Sequence, residues 1–194
     1  MNVIDQKLAL EKLNSGIPII FQTDTLPAIG CLPKFSEIIY KIKKRDQNKP
    51  LILMGAENYQ FDQFVHKSAL DDYKYMASKY WPGPLTMIIP VADKKNKTLL
   101  SSINFTLGIR IPNSKMARSL IKESGPLFTS SANLSGLQTA TSAKDISIDL
   151  PEVDILGPVP WRKCSGKAST IISWVSYGKW KIIREGEVLV PTIG

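Results

Sequence analysis

The side chains best able to do chemistry are cations and small hydroxyls. The densest positive run is Lys41-Ile42-Lys43-Lys44-Arg45-Asp46-Gln47-Asn48-Lys49. Residues two apart on a helix point in nearly opposite directions, so Lys43 and Arg45 can share a ligand only if the helix ends between them. Asp46-Gln47-Asn48 is the kind of sequence that ends helices. A helix exit with two converging cations and Lys49 beyond suits a polyphosphate. The same run also suits a helix whose last turn is cationic to complement its dipole. Thr23-Asp24-Thr25 leaves an apolar strand and puts hydroxyls and a carboxylate at a sheet edge, where α/β proteins bind ligands; it is equally a turn that satisfies its own backbone. Thr129-Ser130-Ser131-Ala132-Asn133 offers a second such cluster, with a capping role as its alternative. Arg110 and Arg184 fall in or at the end of strands. A buried strand arginine demands an anionic partner, whereas an edge arginine is merely solvated. Together these groups stabilise negative charge and position substrates; none is a nucleophile.

Composition removes several other chemistries. Cys31 and Cys164 are too few and too far apart for a disulfide framework or a zinc site. The single histidine, His66, sits in a polar stretch and reads as solvated, so no Ser-His-Asp or Cys-His arrangement can be built without it. Any metal must therefore arrive with a ligand. The 25 Lys and Arg residues outnumber 17 Asp and Glu, a net charge of +8 that favours an anionic partner. With 43% hydrophobic and 22% charged residues among 194, the chain reads as one globular domain, residues 1–194. It has neither a signal-peptide core nor an apolar run of membrane-spanning length, so the expectation is a cytoplasmic protein with no membrane partner.

The elements that must hold these groups follow from periodicity. Residues Asp5–Ser15 form an amphipathic helix stopped by Gly16, and Ile17–Phe21 a buried strand. Ser36 is a candidate N-cap for a helix with Ile38, Ile39 and Ile42 as its apolar stripe. Pro50–Met54 and Leu85–Val91 are strands, the second opened by the turn Trp81-Pro82-Gly83-Pro84. Leu107–Ile111 alternates as a strand. Ser114–Ser124 is a helix with Met116, Leu120 and Ile121 inward and Gly125 as its stop. Residues 135–142 form an exposed, mobile loop, and Thr170–Val175 and Lys179–Arg184 are the last strands. A mixed sheet in one α/β domain results.

The motifs, in this order, resemble the YrdC/TsaC family of L-threonylcarbamoyladenylate synthases over essentially the whole chain. The resemblance is carried by Thr23-Asp24-Thr25 with Gly30, Lys43-x-Arg45 with Lys49-Pro50-Leu51, Trp81-Pro82-Gly83-Pro84-Leu85-Thr86, and Ile109-Arg110-Ile111-Pro112. It continues in Ser131-Ala132-Asn133-Leu134-Ser135-Gly136, Ala168-Ser169-Thr170 and Arg184-x-Gly186. It implies a twisted, mixed parallel and antiparallel sheet with helices packed around a large basic cavity, in the short, single-domain form. It also implies a reaction in which L-threonine, bicarbonate or CO2, and ATP with Mg2+ give threonylcarbamoyl-AMP and pyrophosphate. The product serves the threonylcarbamoyl modification of adenosine beside the anticodon of tRNA, through partner proteins that take it over. By similarity, Arg45, Lys49, Thr106, Ser131, Asn133, Thr139 and Arg184 contact ATP, and Lys43 and Arg45 act in catalysis. Thr25, Arg110, Thr129 and Ser169 hold threonine, with Arg110 a natural partner for its carboxylate.

Some positions depart from the family pattern. Leu26, Pro27 and Ala28 stand where an aliphatic residue, an aromatic one and glycine are common. Asn113 replaces a frequent histidine, Asp46 a frequent proline, and Met54 a polar threonine contact, so Met54 is left out of the expected site. The rival reading is a non-catalytic module of the same fold that binds RNA, double-stranded RNA included. Aromatic content is only 8%, and no cationic stretch has the interleaved aromatics of a stacking platform.

Overall fold

The computed structural model describes residues 1–92 and 105–191. Within them lie ten strands. These are β1 (Val3–Ile4), β2 (Ile19–Phe21), β3 (Ala28–Cys31), β4 (Ile52–Met54), β5 (Leu85–Pro90), β6 (Thr106–Arg110), β7 (Leu127–Ser131), β8 (Ile155–Leu156), β9 (Thr170–Ser176) and β10 (Lys179–Arg184). The six α-helices are α1 (Gln6–Asn14), α2 (Glu37–Lys43), α3 (Tyr59–Asp62), α4 (Leu70–Tyr80), α5 (Lys115–Ser124) and α6 (Ala143–Asp149). All ten strands join one mixed sheet in the order β1-β8-β2-β3-β7-β4-β6-β5-β9-β10. Pairings of β4 with β6 and of β5 with β9 are parallel, and those of β7 with β4 and of β6 with β5 antiparallel.

Local chemistry explains the helices that position the site. Asp5 caps α1 by accepting from the Leu8 backbone N–H at 2.8 Å, and Ser114 caps α5 by accepting from Ala117. Gly125, at φ 81°, ends α5 in a conformation that a side chain would strain. Ser36 precedes α2, but its side chain makes no capping bond; a 3₁₀ turn over Pro33–Phe35 leads straight into the helix instead.

The period of two along each strand assigns its side chains to opposite faces. Leu53, Met87, Ile109 and Phe128 share a buried cluster with Ile39 of α2 and with Tyr73 and Met76 of α4. On the opposite face, Ile19, Phe21, Ala28 and Leu127 pack with Ala9 and Leu13 of α1 and Leu120 and Ile121 of α5. These two helices cover the β2–β3 end of that face. The rest of it, across β7, β4, β6, β5 and β9, is the floor of a cavity.

Candidate active site

Alternate residues of five strands form that floor. Thr129 and Ser131 come from β7, Ile52 and Met54 from β4, and Thr106, Gly108 and Arg110 from β6. Thr86 and Ile88 come from β5 and Ile171 from β9. The walls are Thr25 and Leu26 before β3, Arg45 and Lys49 after α2, Ser169 before β9, and Arg184 at the end of β10. The cavity holds about 450 Å³, within the range of small-molecule sites. Four cations line it, Arg45, Lys49, Arg110 and Arg184, and no carboxylate among the described residues does. Two other cavities, about 630 and about 640 Å³, flank residues 158–163, and none of the expected site residues lines either.

The helix exit has the geometry that convergence requires. Lys44 adopts the left-handed conformation at φ 49°, ψ 44°, and the Arg45 N–H donates to the Tyr40 carbonyl at 2.9 Å while Lys44 N–H donates to Lys41. The helix therefore ends between Lys43 and Arg45, one residue before the Asp-Gln-Asn stretch. Asp46 closes the following loop by accepting from Asn48 N–H at 2.9 Å, which supplies a turn without proline. Arg45 is braced by its own loop, donating to the carbonyls of Lys49 at 3.2 Å and Pro50 at 3.1 Å. It thus reaches the wall without a direct ion pair among the described residues, Asp46 acting on it only at longer range. Burial pulls its pKa below the ordinary arginine value, and the same holds for Arg184.

Lys43, Asn133 and Thr139 do not line the cavity. They form a buried knot behind Ser131. The Lys43 ammonium donates to the Ser131 carbonyl, to the Asn133 carbonyl at 2.6 Å and to Asn133 Oδ1 at 3.3 Å. Asn133 Oδ1 also accepts from Ser131 Oγ at 2.5 Å and from Thr139 Oγ1 at 3.0 Å. Through its Nδ2, Asn133 donates to the carbonyls of Leu134 and Leu137, both at 2.7 Å, so the start of loop 135–142 is tied to the knot. Three donated bonds use all three ammonium protons. In this structure Lys43 joins the end of α2 to the end of β7.

Burial, and secondarily Arg45, lowers the Lys43 pKa to about 8. The folded protein thus holds this proton less tightly than the unfolded chain does. Between about 8 and the ordinary 10.5 the unfolded state binds more protons, so stability rises with pH across that window. Urea midpoints taken from neutral pH to about 10.5 should show this rise in the native protein and lose it in Lys43→Met. Equal slopes in the two proteins would show that Lys43 titrates normally.

At the other end, Arg110 is the most deeply buried cation lining the cavity. It is 3% exposed, and its guanidinium donates to Asp24 Oδ1 at 2.6 Å, Thr25 Oγ1 at 2.8 Å and the Gly83 carbonyl at 3.1 Å. Burial lowers its pKa, Asp24 opposes that shift, and Arg184 adds to it. These bonds use three of five N–H groups. The Trp81–Pro84 turn supplies the Gly83 carbonyl and is itself held by the Trp81 indole, which donates to the Leu85 carbonyl at 2.7 Å. Ser169 bonds Thr86 Oγ1 at 2.8 Å and gives its carbonyl to Arg184 at 2.8 and 3.2 Å. Thr129 Oγ1 donates to the Ile52 carbonyl at 3.0 Å.

Three contributors were not in the expected site. Asp24 is the buried arginine's ion partner; its signal lay in the Thr-Asp-Thr turn and in the requirement that a buried arginine be paired. Met54 and Ala28, both departures from the family pattern, line the cavity. Among the described residues no three His, Cys, Asp or Glu side chains could hold a metal ion, and no helix is long and apolar enough to cross a membrane.

The site is thus a cationic cavity on one face of a ten-stranded mixed α/β sheet, lined by no carboxylate among the described residues. A family profile named for Sua5, YciO and YrdC and described as telomere recombination matches residues 11–186. The chain belongs to this family. It is 34% identical over 139 residues to a threonylcarbamoyl-AMP synthase of Idiomarina loihiensis, covering 69% of this chain and 74% of that one. P. abyssi Sua5 complexed with L-threonine superposes with a TM-score of 0.82 at 26% identity; 96% of this chain is covered, and it spans 57% of the archaeal one. E. coli YciO has the same fold, with a TM-score of 0.80 at 22% identity and coverage of 99% and 95%.

Proposed function

We propose that this protein is a threonylcarbamoyl-AMP synthase of a single domain, residues 1–194, acting in the cytoplasm. It joins L-threonine, inorganic carbon and ATP into threonylcarbamoyl-AMP and releases pyrophosphate; partner proteins then use the product to modify tRNA adenosine. The observation that carries this reading is the pairing, in one cavity, of three cations that form no direct ion pair among the described residues with a buried, pre-oriented Arg110. Arg45, Lys49 and Arg184 suit a triphosphate. Arg110 keeps donors for an amino-acid carboxylate, beside the hydroxyls of Thr25 and Thr129 and near Ser169.

The work of these residues is to bind and orient. Arg45, Lys49 and Arg184 hold the phosphates, with Thr106 and Ser131 as neutral contacts, and offset the charge that grows as pyrophosphate departs. Lys43, Asn133 and Thr139 keep Ser131 in place. Magnesium would come with the nucleotide rather than with a protein ligand set, and would supply further charge neutralisation. Among its described lining residues the cavity offers no carboxylate or imidazole base, so the amine's proton passes to water or phosphate.

The test is pyrophosphate release in mixtures lacking one reactant at a time. Release should need ATP, L-threonine and bicarbonate together. An RNA-binding module would release none and would bind RNA with a steep dependence on salt.

A further inference from the structure

Arg184 reaches the cavity through an irregularity in the ladder that carries it. Ile182 pairs with Ile172 and Arg184 pairs with Ile171, so Ile183 and Arg184 together oppose one residue of β9. This is a β-bulge, in which an extra residue bends the strand and re-aims a side chain. Ile171, Ile183 and Arg184 all line the cavity, whereas Ile172 belongs to the buried cluster and Ile182 packs against it. In a regular ladder Ile183 would oppose Ile171 and Arg184 would oppose Thr170. Thr170 pairs with Leu85 on the core face, so that slip of one residue would turn Arg184 away from the cavity.

The chain just beyond the bulge holds it in place. A Cβ on Gly186 would stand 2.3 Å from the Ala168 carbonyl oxygen and 2.5 Å from Ser169 C and Thr170 N. All three are backbone atoms, which cannot swing aside, and only glycine lets backbone lie so close on backbone. The Gly186 N–H donates to Thr170 Oγ1 at 3.1 Å and the Glu187 N–H to the Ala168 carbonyl at 2.9 Å. Thr170 Oγ1 in turn donates to the Val188 carbonyl at 2.5 Å. Residues 186–188 are thereby locked onto 168–170. With that register pinned on one side and the Ile182–Ile172 pair on the other, the surplus residue is taken up as the bulge.

Resting on the synthase reading, we infer that Gly186 is a positioning residue of the reaction: by locking the chain beyond β10 onto Ala168–Thr170 it imposes the bulge that turns Arg184 toward the nucleotide phosphates. Gly186 does not itself line the cavity; Ala168, Ser169 and Arg184 do. The same lock holds Ser169, whose carbonyl accepts from the Arg184 guanidinium. One backbone contact therefore aligns the cation of the phosphate wall with a hydroxyl of the amino-acid wall.

The experiment measures the KM for ATP in pyrophosphate release. Gly186→Ala opens the lock and lets the ladder regularise, and the KM for ATP should rise about tenfold or more, as when Arg184 itself is removed. Deleting Ile183 from the Gly186→Ala protein takes out the surplus residue and sets Arg184 opposite Ile171 in a regular ladder, so it should restore most of that affinity. In an Arg184→Ala background, Gly186→Ala should add less than about twofold, because its effect passes through the guanidinium. Thr170→Val removes the hydroxyl of the lock without a clash and should raise the KM for ATP by a smaller factor, which gives a reading even if the alanine variant fails to fold. A fall in kcat with a native KM for ATP in both lock variants, an additive effect on top of Arg184→Ala, or no rescue by the deletion overturns the role while leaving the synthase reading intact. No pyrophosphate from the native protein overturns both.

Discussion

Arg110→Leu is expected to lower stability by about 3 kcal/mol and to abolish threonine-dependent turnover. Breaking one partner out of a buried ion pair costs about 3–5 kcal/mol, because the other charge is stranded. The Asp24 side chain retains 15% exposure against 4% for Arg110, so water can partly rescue it and the lower end applies. The substitution also strips the donors from Thr25 Oγ1 and the Gly83 carbonyl, loosening two loops that border the cavity. Urea unfolding measures the first effect; a loss under about 1 kcal/mol would put the pair in the class of surface salt bridges. Removing both charges in Asp24→Leu with Arg110→Leu should recover part of the stability but none of the activity. Additive losses in the double variant would show the two side chains to be uncoupled.

Arg184→Ala and Arg45→Ala should separate function from folding in the opposite way. Each guanidinium donates to carbonyls of its own neighbourhood, Arg184 to Ser169 and Arg45 to Lys49 and Pro50, with no carboxylate left behind when it goes. The stability cost is that of ordinary hydrogen bonds, about 0.5–1.5 kcal/mol. Each lost charge-assisted contact to phosphate costs about 1.5–3 kcal/mol, or roughly one to two decades in rate or affinity. Pyrophosphate release should fall by that factor while the urea midpoint moves little. Near-native release from either variant would remove it from the phosphate site.

The cations beyond α2 illustrate how a local pattern can anticipate geometry. Two residues of a helix separated by one cannot face the same ligand, so convergence of Lys43 and Arg45 demanded a helix end, and Lys44 turns left-handed to provide it. The same reasoning did not foresee that only Arg45 would emerge in the cavity. Lys43 is drawn inward because three carbonyl and amide oxygens, from positions 131 and 133, wait there. Nothing near position 43 in the sequence announces them. Short strands were the hardest to see: β1 and β8, of two residues each, carry too few for a period of two to stand out. Helix α4 escaped for a different reason, since Tyr73, Met76 and Ala77 form a narrow stripe among charged neighbours.

From its residues this chain read as a cationic α/β protein, and with the family resemblance it named the four cations and most of the hydroxyls that line its cavity. Those properties are local: charge, hydroxyl content, period and turn chemistry are written within a few residues of one another. Which cations would stand bare and which would be paired was decided by the sheet. Parallel β4 and β6 bring Met54 beside Arg110, and the turn before β3 brings Asp24 from 86 residues away to neutralise that arginine. Helices α1 and α5 cover one end of the face and leave the rest as a cavity floor. Burial and long-range register are properties of the assembled layers, and they alone fix which side chain meets ligand and which meets protein.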